Sequence, residues 1–71
     1  MDMIVFDKLW ETMKAKGVST YTLREKHSIE SKTIRRLKAN KNTTTDTLNK
    51  LCKILGCKLG DIAEYIPGEQ E

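Results

Sequence analysis

Lys32, Arg35 and Arg36 are three cations within five consecutive residues of a 71-residue chain. A guanidinium presents a planar fork of donors that fits a phosphate or the O6/N7 edge of guanine, and an ammonium acts as a point charge. Advanced by 100° per residue, these three and the small Ala39 fall on one side of a helix starting near Ser31. Ile34 and Leu37 fall within about 60° of each other on the opposite side by the same angular step. A helix that buries two aliphatics and turns Lys and Arg outward suits a phosphate-lined groove.

The wider charge distribution agrees. The net charge is +3, but 24–41 holds seven Lys or Arg against Glu25 and Glu30, and 61–71 holds four acids and no base. A basic middle with an acidic end directs one face toward an anionic partner. Other chemistry finds little support. No cysteine–histidine pair stands at useful spacing, no carboxylate pair lies in an apolar context, and there is no glycine-rich phosphate loop, so an enzyme is not expected. Cys52 and Cys57, with four residues between them, and the single distant His27 do not make a zinc set, and no metal, cofactor or small-molecule ligand is expected. The two cysteines read as buried small hydrophobes, a disulfide being disfavoured in a reducing compartment. His27 reads as exposed and idle. No run approaches a membrane span, and the acidic second residue and short apolar stretches of the N-terminus do not make a signal peptide, so a cytoplasmic, nucleoid-associated protein is expected.

The elements that would hold the basic helix follow from periodicity and end signals. An apolar lead-in, 1–5, is expected as an arm or strand-like segment packed on the body. A first helix over 6–16 places Phe6, Leu9, Trp10 and Met13 at i, i+3, i+4 and i+7, with Trp10 in the core and Gly17 as the left-handed stop. Ser19 caps a second helix, Thr20–His27, anchored by Leu23 with weaker help from Tyr21 and the stem of Arg24. Residues 28–30 form the turn, with Ile29 plugged inward, and the third helix runs over 31–39. Thr44 caps a fourth helix ending at Leu55, with Asp46 at the positive end of its dipole, Leu48, Leu51, Cys52 and Leu55 inward, and Gly56 as C-cap. A last helix over 59–65, contributing Ile62, Ala63 and Ile66, would stop at Pro67, with 68–71 frayed. No strand alternation of convincing length is present. The expected architecture is all-α: one domain over 1–71, a compact bundle of five short helices ordered over about 4–66.

This order of signals resembles the phage-repressor and Cro-like helix-turn-helix family, also called XRE, of the short stand-alone bacterial or phage type. The resemblance covers 6–66 and rests on Ser19, Leu23, Ile29, Thr33, Ile34 and Leu37, then Thr47, Leu48, Leu51, Leu55 and Gly56, then Leu59, Asp61 and Ile62. Two positions depart from the pattern. Arg24 stands where the family usually has alanine, so it must lean outward or shift the helix crossing. Ser28 stands where the family usually has a left-handed glycine, at a cost of roughly 1 kcal/mol.

The resemblance implies a fold of the lambda-repressor-like DNA-binding type, with helices two and three as the helix-turn-helix. It implies sequence-specific binding of double-stranded DNA through the major groove and a role as transcriptional regulator, a repressor first of all. Ser31, Lys32 and Arg36 match the family's base-contacting positions, with Arg35 beside them, and Arg36 is the candidate for guanine. Thr20 matches a phosphate-contacting position, with Tyr21 beside it, and Asn40, Lys41, Asn42 and Thr44 surround the next helix start as a second phosphate clamp. A single domain this small would bind weakly alone, so a symmetric homodimer on half-sites about one helical turn, ~34 Å, apart is expected. Met3, Ile4 and Val5 with Ile62, Tyr65 and Ile66 are the candidate contact surface. The competing reading is a protein-interaction or antitoxin-like adaptor built on the same bundle. RNA binding ranks below both, for want of exposed aromatic stacking pairs.

Overall fold

The computed structural model describes residues 2–68. The elements run β1 (Met3–Val5), α1 (Asp7–Lys16), α2 (Thr20–His27), α3 (Ser31–Lys38), α4 (Thr45–Leu55), a single 3-10 turn (Leu59–Asp61) and β2 (Glu64–Ile66). The four helices fall where the end signals put them, to within a residue.

Local chemistry explains the boundaries. Ser19 is extended (φ −104°, ψ 168°) and its hydroxyl accepts from the Thr22 N–H at 3.1 Å. Thr44 does the same for Thr47 at 3.1 Å, and Asp46 lies in the first turn of α4. Each cap satisfies one N–H that has no carbonyl partner within the helix, and each is worth about 1 kcal/mol. At the other ends, α1 stops at Gly17 (φ 70°) and α4 at Gly56 (φ 62°), both left-handed. Beyond them Val18 N–H donates to Met13 O at 2.9 Å and Cys57 N–H to Cys52 O at 3.1 Å, the six-to-one bond of a Schellman end.

Ten side chains make the central cluster: Phe6, Leu9, Met13, Leu23, Ile29, Ile34, Leu37, Leu51, Leu55 and Ile62. Every helix contributes at least one. Trp10, Val18, Leu48, Cys52, Ile54, Cys57 and Ala63 pack around this centre half-buried, so Trp10 and the two cysteines are peripheral to the core. Burial of a full aliphatic side chain is worth about 1.5–3 kcal/mol, and at α2, where Leu23 is the one buried residue, it must hold an otherwise polar two-turn helix in place.

The fifth helix is not formed. The expected span 59–65 makes one 3-10 turn and then runs extended as β2, antiparallel to β1 with Met3 opposite Ile66, Ile4 opposite Tyr65 and Val5 opposite Glu64. The fold is therefore four helices with a small two-stranded sheet, and the expectation of an all-α bundle without strands is corrected. Proline excludes the helical region for the residue before it, so Pro67 holds Ile66 extended; it does more than stop a helix. Tyr65 and Ile66 on one side, and Ile4 and Val5 on the other, favour a pleated surface.

An isolated two-stranded ribbon is marginal. Here Asp2 ties its open end, accepting from Gly68 N–H at 2.6 Å, with its carboxylate also toward the Tyr65 phenol. The carboxylate pushes that phenol above its ordinary value. Gly68 was expected to fray, and residues 69–71, included in that expectation, lie outside the described residues. At the other end of the ribbon Phe6 N–H donates to Asn40 Oδ1 at 2.8 Å, and Thr12 Oγ1 donates to Asp61 O at 2.7 Å.

Candidate nucleic-acid interface

Helix α3 is placed by its apolar edge. Ile34 and Leu37 are buried in the central cluster, while Ser31, Lys32, Arg35, Arg36 and Lys38 are all exposed. The periodicity thus fixes the outward direction of the cations. Since α3 is eight residues long and its cationic side carries no apolar residue, the exposed face is polar along its whole length.

The two unusual residues lie in α2 and in the turn that sets α3 against it. Ser28 is left-handed (φ 57°), its N–H donating to Leu23 O, and Ile29 N–H donates to the same carbonyl at 3.0 Å. Serine thus adopts the conformation that glycine takes at lower cost. Ile29 is buried directly after it, so the turn is pulled inward by an apolar anchor. Arg24 leans out: it is exposed and its guanidinium lies over the Tyr21 ring, 6.0 Å from the centroid. At this distance a cation–π attraction is near its outer limit. Tyr21, 64% exposed, therefore carries Arg24 on its ring and leaves its edge to solvent.

The start of α4 lies against α3. Arg36 and Thr33 of α3 share a shallow polar cavity of about 230 Å³ with Asn42, Thr43, Thr44 and Thr47. Arg36, Asn42 and Thr44 were identified from the sequence, and the structure brings them together. Thr33, Thr43 and Thr47 are additional hydroxyls that the sequence reading did not assign to the site. The spacing of Thr44 and Thr47 at i and i+3 across a cap could have flagged Thr47, and Thr33 stands one turn before Arg36 on α3, but Thr43 joins only because the link brings the start of α4 up to α3. The cavity has one guanidinium, several hydroxyls and the N-terminal end of an eleven-residue helix, a chemistry suited to an anion.

The remaining residues occupy different stations. Thr20 and Tyr21 open α2 and stand outside this cavity. Lys41 and Asn42 are exposed in the link between α3 and α4. Asn40 is half-buried and left-handed (φ 56°), and its side-chain oxygen holds the Phe6 N–H. That residue ties the end of α3 to the entry of α1. His27 is exposed.

A short helix, a left-handed turn residue, a buried turn isoleucine and a second helix with a cationic outer face together make a helix-turn-helix. Residues 8–68 match the Cro/C1-type HTH DNA-binding domain, and the chain belongs to that family. Among solved structures it is similar to one described as the transcriptional regulator VanUg, Form II, at 28% identity and a TM-score of 0.85, with 94% of this chain and 89% of that one covered. No curated protein matches the chain. The fold and family make it an XRE-like helix-turn-helix DNA-binding protein, a class that is not generally enzymatic. Among the described residues, no helix is long and apolar enough to cross a membrane.

Proposed function

We propose that the protein is a sequence-specific regulator of transcription that inserts α3 into the major groove of double-stranded DNA. The observation that carries this reading is the division of α3 into a buried edge, Ile34 and Leu37, and an exposed cationic edge, Lys32, Arg35 and Arg36. Arg36 reads guanine through its fork, Ser31 and Lys32 reach the base edges from the first turn, and Arg35 flanks them. Thr20, Tyr21, Lys41, Asn42 and Thr44 hold phosphates on either side, and Asn40 orients the link that carries two of them. With Arg36 at its edge, the threonine-lined cavity places a phosphate beside the base that Arg36 reads.

The protein acts as a homodimer on two half-sites and represses by occupying its operator, in the cytoplasm where the DNA lies. Met3, Ile4, Leu59, Tyr65 and Ile66 are exposed and cluster about the ribbon and the 3-10 turn, which makes them the contact between copies. Val5 and Ile62, counted in that surface from the sequence, are buried in the body and are not available to a second copy.

Replacing Arg36 by alanine tests the assignment. Discrimination between cognate and mutated operators at one position should fall by about 1–3 kcal/mol, the worth of a bidentate base contact. Unchanged discrimination would remove Arg36 from its role. The exposed apolar residues also favour a second reading, an adaptor whose partner is another protein. Binding to random duplex at low and moderate salt separates the two, because an adaptor shows no salt-sensitive affinity.

A further inference from the structure

The two cysteines have a relation that the DNA-binding reading does not use. Cys52 lies in the last turns of α4 and Cys57 is the first residue beyond the left-handed Gly56. The Cys57 N–H donates to Cys52 O at 3.1 Å, which puts the pair at the two positions of a Schellman end whose side chains meet. At the end of α1 the equivalent positions hold Met13 and Val18, joined by the same backbone bond at 2.9 Å, Met13 in the central cluster and Val18 packed against it. At α4 the same two positions hold thiols instead. Both are free and half-buried, so a small oxidant can reach them.

We propose that Cys52 and Cys57 are an oxidisable dithiol that closes into an intramolecular disulfide when the folded protein meets a hydroperoxide. One thiolate attacks the peroxide oxygen, giving a sulfenic acid and, for hydrogen peroxide, one water. The sulfur of the second cysteine then displaces the sulfenic hydroxyl as a second water, so two S–H bonds are lost, one S–S bond forms and the peroxide takes both electrons. The backbone already holds the two residues together across Gly56, so closure asks for side-chain rotation and not for unfolding. The bridge would fasten the end of α4 to the segment that leads into the 3-10 turn and β2, where Leu59, Tyr65 and Ile66 are exposed.

The reaction is slow at neutral pH and accelerates as the thiols ionise. Burial pushes the Cys57 thiol up, the neighbouring Cys52 and the Asp61 carboxylate push the same way, and the Lys16 ammonium opposes them. A thiol held protonated is a poor nucleophile.

The test is to treat the reduced full-length chain with hydrogen peroxide in native buffer and follow intact mass, free thiols and chain length on a non-reducing gel. The proposal predicts a monomeric product that has lost two hydrogens, gained no oxygen and has no free thiol left. Its midpoint in urea, measured without reductant, should exceed that of the reduced protein. Cys52→Ser and Cys57→Ser should each keep the fold, lose the two-hydrogen product and accumulate oxygen adducts or cross-linked chains. Oxygen adducts or cross-links as the main products of the native sequence would overturn the proposal. So would closure that occurs only in denaturant, or a lower urea midpoint for the oxidised form.

Discussion

Among the described residues, two other than glycine have positive φ, Ser28 at 57° and Asn40 at 56°, and glycine at each should act in opposite directions. Among the described residues the Ser28 hydroxyl has no hydrogen-bond partner, and Ser28 ends α2 in a position glycine commonly takes. A left-handed non-glycine residue costs roughly 1–2 kcal/mol, and the extra freedom of glycine in the unfolded chain returns about 0.4–1 kcal/mol of that. Ser28→Gly should therefore stabilise by about 0.5–1 kcal/mol, or a few degrees in Tm for a domain of this size. At Asn40 the backbone gain is small because asparagine tolerates the left-handed region. The loss is larger, since Asn40 Oδ1 holds the Phe6 N–H at 2.8 Å across 34 residues in a partly buried setting. Removing a partner and leaving a donor unsatisfied costs about 1–3 kcal/mol, so Asn40→Gly should destabilise by about 1–2 kcal/mol net. Urea and thermal unfolding of both variants read the two signs directly. Stabilisation by both would show the Asn40 bond to be idle, and destabilisation by Ser28→Gly would refute the argument from turn strain.

Three further outcomes are expected. Leu37→Ala should lose about 2–5 kcal/mol in urea unfolding, because Leu37 is fully buried and its removal leaves a cavity beneath α3. A domain of this size has a stability of about 0.05–0.15 kcal/mol per residue, so that loss takes much of the total. Lys41→Ala should weaken binding to all duplexes alike and lower the slope of log affinity against log salt by about one, measured by fluorescence anisotropy across a salt series. Leu59→Lys combined with Met3→Lys, both exposed positions, should leave the stability of the monomer within about 0.5 kcal/mol of the native sequence while abolishing any dimer seen by analytical ultracentrifugation.

The parts of this molecule that the sequence disclosed are those decided within one turn of chain. Ser19 and Thr44 cap because a hydroxyl reaches three residues ahead, and Gly17 and Gly56 stop helices because of their own φ. The cationic edge of α3 was legible for the same reason, since Ile34 and Leu37 fix the inward direction by their spacing alone. What depends on distant residues was not. The register of Met3 with Ile66 joins opposite ends of the chain, so β2 was read as a helix from its apolar residues although Pro67 carried the opposing signal. The bond that Asn40 makes to the Phe6 N–H was not legible either, because the two residues are 34 positions apart. Thr33 stands one turn before Arg36 on α3, but Thr43 and Thr47 join them only because the link brings the start of α4 up to α3, which periodicity cannot supply.

The central claim is that α3 and its flanks meet DNA. Amide and side-chain chemical shifts of the isotopically labelled protein, followed while a duplex carrying its selected operator is added, test that most directly. The account predicts the largest changes at Ser31, Lys32, Arg35 and Arg36, smaller ones at Thr20, Lys41, Asn42 and Thr44, and little at Leu9 or Leu51 in the core. Changes confined to Leu59, Tyr65 and Ile66, or no change with any duplex, would contradict it.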